Sequence, residues 1–180
     1  MLRKGFLVVI SVLVLACAGF AAGTRVVLVG VMSDSHCGLK HSVAGDDAAK
    51  CVIGCATKDA DYVLASEGKL YKFEKKNPFY KNFAGKNVEV VGNLTDGTFA
   101  MMDLSVVELD ANPPKGLQLF EGTLKSAAGQ YTLDANGKIY QIDTSASGDV
   151  SYLNNMVGQP ADVVGTLEGN TIHLHDAQSH

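Results

Sequence analysis

The stretch Tyr62-Val-Leu-Ala-Ser-Glu-Gly-Lys-Leu-Tyr-Lys-Phe73 returns later in the chain as Tyr131-Thr-Leu-Asp-Ala-Asn-Gly-Lys-Ile-Tyr-Gln-Ile142. Five of these twelve positions are identical. A second stretch, Gly85-Lys-Asn-Val-Glu-Val-Val-Gly-Asn-Leu94, is repeated as Gly158-Gln-Pro-Ala-Asp-Val-Val-Gly-Thr-Leu167, with five identities in ten positions. Two matches in the same order indicate an internal duplication.

Each copy is predicted to contain five β-strands, because apolar and polar residues alternate between closely spaced turn signals. Val88 and Val90 lie on one face of a strand and Glu89 on the other. The pair Asn136-Gly137 tolerates positive φ angles and predicts a two-residue hairpin. The predicted strands span 25–32, 61–66, 69–74, 87–94 and 98–108 in the first copy, and 117–125, 130–135, 138–143, 161–167 and 170–176 in the second.

A short helix is predicted over residues 149–156, between the third and fourth strands of the second copy. Five strands with a helix at this place are the order of the OB-type barrel. We therefore predict a mainly β protein of two tandem small OB-like five-stranded β-barrels with short helices. The predicted parts are a signal peptide (1–23), a first barrel (24–109) with a Cys/His insertion (33–60), a proline-containing linker (110–116) and a second, shorter repeat (117–180).

The N-terminus has the order of charge, apolar core and small residues that is typical of a secretory signal peptide. Arg3 and Lys4 precede an apolar run that ends near Ala16. The chain is thus expected to be extracytoplasmic, either periplasmic or secreted. Small residues before Gly23 favour soluble release, while Val14-Leu15-Ala16-Cys17 resembles a lipobox, so a lipid anchor at Cys17 is the alternative. No transmembrane helix is expected after cleavage.

Composition excludes two further classes. The 180 residues are 47% hydrophobic and 19% charged, which is unlike a disordered chain. Without residues 1–23, the 15 basic residues fall to 13 against 19 acidic ones, a net charge of −6. Such a surface repels polyanions, so no nucleic acid partner is expected.

The two copies differ in length at one place. First strands align at an offset of 92 residues and the following hairpins at 69, so the first copy carries 23 extra residues between strands one and two. This insertion holds every cysteine beyond residue 23 and two of the five histidines. Because the second copy lacks it, the barrel does not need it in order to close.

The insertion has the residue types of a soft metal site. Cys51 and Cys55 are four apart on a short predicted helix and would share one face. Cys37 would supply a third thiolate, and His41, with His36 as the alternate, would complete a Cys₃His set. Zn or Cu suits such ligands better than Mg²⁺ or Ca²⁺.

Two other uses of the same cysteines remain open. Exported cysteines commonly form disulfides, and Cys37 is a candidate to pair with Cys51 or with Cys55. An accessible thiol of lowered pKa would instead indicate thiol redox activity. No Ser–His–Asp arrangement, phosphate loop or H-E-x-x-H motif is present, so no catalytic residues are assigned and a non-enzymatic role is expected.

The run Met32-Ser-Asp-Ser-His-Cys-Gly-Leu-Lys-His41, followed by Cys51-x₃-Cys55 and Gly68-Lys-Leu-Tyr71, resembles a group of exported bacterial proteins known only as a domain of unknown function. The resemblance covers about residues 25–108. It implies an OB-like β fold and an extracytoplasmic location, and it carries no established activity. Cys37, His41, Cys51 and Cys55 fall on its motif positions.

Together these features predict an exported, non-enzymatic binding or scaffold module of the cell envelope that binds a soft transition metal through the insertion. The enzyme alternative is a thiol redox protein. The structural alternative is a module that binds a protein or a glycan and is stapled by one disulfide. The partner, whether protein, glycan or metal ion, is not identified by the sequence.

Overall fold

The computed structural model describes residues 23–179, so most of the predicted signal peptide, including Cys17, lies outside the described residues. Within 23–179, no helix combines the length and the apolar character needed to cross a membrane. The strands of the first barrel are β1 (Thr24–Asp34), β2 (Tyr62–Ser66), β3 (Lys69–Phe73), β4 (Asn87–Thr95), β5 (Thr98–Phe99) and β6 (Ser105–Glu108).

The first barrel closes through its long first strand. β1 pairs antiparallel with β2 at one end and with β4 along most of its length. The ring continues from β2 to β3 and β5 and returns to β4, and the β3–β5 pairing is parallel. β6 adds to the same edge of β4 beyond β5.

The second barrel repeats this topology. Its strands are β7 (Gln118–Ala127), β8 (Gln130–Ala135), β9 (Lys138–Asp143), β10 (Pro160–Glu168) and β11 (Thr171–Ser179). They close in the order β10-β11-β9-β8-β7, with a parallel β9–β11 pairing. Short 3₁₀ helices, Pro78–Phe83 and Ser151–Met156, join the third and fourth strands of the two copies. The predicted class, mainly β with two small OB-like barrels, is confirmed.

The single strand predicted over 98–108 is wrong, because it is divided into β5 and β6. Leu94 pairs with Phe99 and Val91 with Ser105. Between these two pairs, β4 has two residues (92–93) and the segment opposite has five (100–104). The three additional residues cannot be paired in a regular antiparallel ladder, so the strand is interrupted. Leu104 lies over Gly92, where a Cβ would approach it to 2.8 Å. Met101 and Leu104 of this turn pack against the first core.

Each barrel encloses its own apolar core, as the alternation predicted. The first core comprises Met32, Leu64, Tyr80, Phe83, Val88, Val90 and Phe99. The second comprises Phe120, Leu124, Leu133, Ile142, Leu153, Met156, Ala161, Val163, Ile172, Leu174 and Ala177. The Asn136-Gly137 hairpin has φ angles of 53° and 86°, as a type I′ turn requires.

The largest difference between the copies is the connection after the first strand. β7 and β8 are joined by a turn at residues 128–129, whereas residues 35–61 join β1 and β2. That longer connection contains a 3₁₀ helix (Gly38–His41) and α1 (Asp46–Ala56). The helix predicted in the insertion is confirmed, and it lies outside the barrel wall.

A pair of buried carboxylates lies where the two barrels meet. Glu89 and Asp162 occupy equivalent positions in β4 and β10, and they are 2% and 0% exposed. Each is approached from the other copy, Glu89 by His175 at 3.5 Å and Asp162 by Arg25. The alternation had placed Glu89 on the outer face of its barrel. The second barrel covers that face and buries the side chain.

Folding stability is expected to fall as pH rises through the range where Glu89 titrates. Burial, reinforced by the nearby Asp176 carboxylate, raises the pKa of Glu89 from 4.5 to about 7. Between those values the folded protein holds a proton that the unfolded chain has lost, so Glu89 lowers the free energy of unfolding by up to about 3 kcal/mol. In urea unfolding between pH 4.5 and 8, Glu89→Gln should remove this loss. The exposed control Glu67→Gln should retain this loss of stability. If the free energy of unfolding changed equally with pH in both variants, the effect could not be assigned to Glu89.

Candidate metal centre

The turn that follows β1 positions the first thiol. Asp34 is fully buried, and its Oδ1 accepts hydrogen bonds from the backbone N–H groups of His36 and Cys37, each at 2.9 Å. Ser33 Oγ donates to the carbonyl of Gly38 at 2.7 Å. These three bonds bend the chain sharply at the barrel edge and fix the backbone of Cys37.

The backbone then reverses at Gly38 and brings back a histidine. Gly38 has a φ of +55°, in the left-handed region that favours glycine. Its Cα is packed so closely that a Cβ would lie 3.0 Å from Leu70 Cδ1. The 3₁₀ helix that follows ends at His41, whose side chain is half-buried beside the cysteines.

Helix α1 supplies the other two thiols. Its buried side is formed by Ala48 and Val52, and Gly85 allows the helix backbone to approach the turn before β4. A Cβ on Gly85 would lie 2.3 Å from the nitrogen of Ala49. With the helix held in this orientation, Cys51 and Cys55, one turn apart, both face Cys37.

The three thiols are in contact without being bonded. Cys37 Sγ lies 3.8 Å from Cys51 Sγ and 3.9 Å from Cys55 Sγ. A disulfide bond is about 2.05 Å long. The described cysteines are therefore all free thiols, and neither of the predicted disulfide pairs is formed.

Five side chains form two groups of three that share Cys37. The ligand atoms of Cys37, His41 and Cys51 lie within 4.8 Å of one another, and so do those of Asp34, Cys37 and Cys55. The Cys/His cluster is thus close enough to hold a metal ion. His36 belongs to neither group and its side chain is exposed.

Two polar atoms of the cluster are buried without hydrogen-bond partners among the described residues. They are His41 Nε2 and Asp34 Oδ2. A buried polar atom left unpaired costs about 1–3 kcal/mol, which a bound ion would offset. Each of these atoms belongs to a residue in one of the two groups.

The surroundings of Cys37 and Cys55 favour the protonated thiol. Hydrogen bonding with Cys51, together with burial, raises the pKa of Cys37 to about 12. Burial likewise raises the pKa of Cys55. Thiols of this kind are weak nucleophiles until a cation displaces the proton.

An open groove of about 590 Å³ leads to one side of the cluster and is lined by His41, Val43, Asp46 and Asp47, among others. The Asp47 side chain is fully exposed there. Lys50 lines the groove as well, and its ammonium lies 3.8 Å from the Asp47 carboxylate, so the groove carries charges of both signs.

Sequence reasoning missed one member of the cluster. Asp34 was not among the predicted ligands, which were limited to the cysteines and histidines of the insertion. It does cap a turn through Oδ1, but the carboxylate also lies within 4.8 Å of the thiols of Cys37 and Cys55, and Oδ2 is buried without a hydrogen-bond partner among the described residues. The only signal in the sequence is the position of Asp34 three residues before Cys37.

No family model, curated protein or solved structure matches this chain.

Proposed function

We propose that this protein is an exported, non-enzymatic module of the cell envelope that binds a soft transition metal, Zn²⁺ or Cu(I), through the insertion of its first barrel. The ligands are the thiolates of Cys37, Cys51 and Cys55 and the imidazole of His41. The second barrel, which lacks the insertion, contributes scaffold and surface.

The spacing of the thiols carries this proposal. Two thiolates on a tetrahedral Zn²⁺, with bonds of about 2.3 Å, stand about 3.8 Å apart. Cys37 Sγ lies 3.8 and 3.9 Å from its two neighbours. The thiols thus already have the separation of metal ligands, with His41 Nε2 unpaired beside them.

The two alternatives fit this geometry less well. Thiol redox activity needs a thiol whose pKa is lowered, whereas the contact with Cys51, together with burial, raises the pKa of Cys37. A structural disulfide would use Cys37 and leave one cysteine unused. It would also leave the buried His41 Nε2 without a partner.

The choice between His41 and His36 supplies the test. We expect His41→Ala to weaken Zn²⁺ binding at least tenfold in competition with a chromophoric chelator, because it removes the nitrogen ligand. His36→Ala is the matched control, since the His36 side chain is exposed and outside both groups. It should bind Zn²⁺ as the unchanged protein does.

Two results would contradict the proposal. The first is that the fully reduced, unchanged protein binds no Zn²⁺ or Cu(I) in competition with the chelator. The second is that the His36 and His41 variants lose the same amount of Zn²⁺ affinity.

Fractionation of expressing cells tests the location, because an exported protein is recovered from the envelope or the periplasm and not from the cytoplasm.

A further inference from the structure

We infer that the cluster holds two Zn²⁺ ions bridged by the thiolate of Cys37, an inference that rests on the proposed metal-binding function. One ion is bound by Cys37, His41 and Cys51, and the other by Asp34, Cys37 and Cys55. These are the two groups in which all three ligand atoms lie within 4.8 Å of one another.

The sharing of Cys37 is the first argument. Its Sγ contacts both Cys51 Sγ and Cys55 Sγ at nearly equal distances, 3.8 and 3.9 Å. Cys51 and Cys55 do not occur together in either group of three. One ion bound by either group as it stands leaves one of the three thiols without a metal, whereas two ions use all three.

The unpaired atoms are the second argument. His41 Nε2 and Asp34 Oδ2 are both buried, and neither has a hydrogen-bond partner within residues 23–179. They belong to residues of different groups, so one ion in either group leaves the other atom unsatisfied. Asp34 is 0% exposed and its Oδ1 is occupied by two backbone N–H groups, so Oδ2 is the oxygen available to an ion.

The charge of the ligands is the third argument for two ions, and the types of ligand indicate that the metal is Zn²⁺. Three thiolates and one carboxylate carry four negative charges, which one divalent ion leaves at −2 and two divalent ions neutralise. Asp34 is buried and the three cysteines are half-buried, so net charge on this set is costly and the neutral set is favoured. Zn²⁺ accepts sulfur, nitrogen and carboxylate oxygen, whereas carboxylate is a poor ligand for Cu(I).

Binding involves proton loss only. Three thiols release three protons to solvent as the Zn–S bonds form, and no electrons are transferred. Each ion has three protein ligands, and its fourth tetrahedral position is taken by water.

The test is the number of ions bound. The full protein is reduced, loaded with excess Zn²⁺, desalted and measured by native mass spectrometry. We expect two ions per chain, one in Asp34→Asn, and two in the exposed control Asp47→Asn. Asn keeps the Oδ1 acceptor for the backbone of His36 and Cys37, so the turn is retained, and far-ultraviolet circular dichroism checks the fold.

A second readout uses Co²⁺, whose thiolate charge-transfer absorption should increase up to two equivalents in the unchanged protein and up to one in Asp34→Asn. One ion in the unchanged protein would overturn the bridged pair while leaving the proposed function in place. No bound ion would overturn both. Two ions retained by Asp34→Asn would exclude Asp34 as a ligand.

Discussion

Replacing Cys37 with serine is expected to abolish Zn²⁺ binding. Cys37 is the one residue present in both ligand groups, and its thiol contacts both other thiols. Serine keeps the size of the side chain, but its hydroxyl is a much poorer zinc ligand than a thiolate. We expect the apparent Kd for Zn²⁺ to rise at least a thousandfold in a chelator competition assay.

Cys51→Ser and Cys55→Ser provide the comparison, because each removes a ligand from one group only. Both should retain one ion, whereas Cys37→Ser should retain none. The Cys37 backbone N–H remains bound to Asp34 in all three variants, so the fold of the turn should persist. Unchanged Zn²⁺ affinity in Cys37→Ser would contradict the central place given to this residue.

Replacing Arg25 with methionine is expected to destabilise the protein by about 3–5 kcal/mol, the usual cost of removing one partner of a buried ion pair. Arg25 Nε donates to Asp162 Oδ2 at 2.7 Å, and a second guanidinium nitrogen contacts the same oxygen. The two side chains are 6% and 0% exposed. Gln178 also donates to this oxygen, but it does not neutralise the charge.

Urea unfolding at pH 7 measures the effect of Arg25→Met. The double variant Arg25→Met/Asp162→Asn removes the stranded charge and should recover at least half of the lost free energy. Lys50→Met is the matched control, because its ion pair with Asp47 is exposed and should contribute less than about 0.5 kcal/mol. If Arg25→Met lowered the free energy of unfolding by less than about 1 kcal/mol, the buried Asp162 carboxylate would not need Arg25 for its stabilisation.

Much of the fold could be predicted because the same pattern of strands and turns occurs twice in the chain. The repeats of Tyr62–Phe73 and Gly85–Leu94 place the hairpins and the fourth strands at the same positions in both copies. Two independent patterns that give the same strand order reinforce each other. The divided last strand of the first barrel was missed because 98–108 is strand-like throughout. Only the pairing with β4 shows that residues 100–104 exceed the ladder.

Burial between the barrels could not be derived from the pattern of one strand. Alternation shows that Glu89 and Val88 lie on opposite faces, but it does not show what covers the outer face. The packing of two barrels buries Glu89 and Asp162 and pairs each with the other copy. These pairs join residues that are far apart in the chain, so the hydrophobic pattern of a single strand cannot predict them.

The sequence predicted the type of candidate site, a Cys/His metal site in the insertion, but left open which histidine belongs to it. The cysteines and histidines of the insertion were recognised because the second copy lacks them, but spacing alone could not choose between His36 and His41. The turn at Gly38 makes that choice, since it leaves His36 exposed and returns His41 to the cluster. Asp34 could be recognised only in the folded structure, which shows that its first oxygen caps the turn while its second is buried without a hydrogen-bond partner among the described residues.

Native and denatured mass spectrometry of the protein purified without chelator, combined with thiol alkylation after denaturation, tests the metal-binding account most directly. The account predicts a native mass increased by bound zinc and alkylation of Cys37, Cys51 and Cys55 once the protein is unfolded. A metal-free mass about two daltons below that of the reduced chain, with one alkylated thiol, would contradict it. The insertion would then be a disulfide staple.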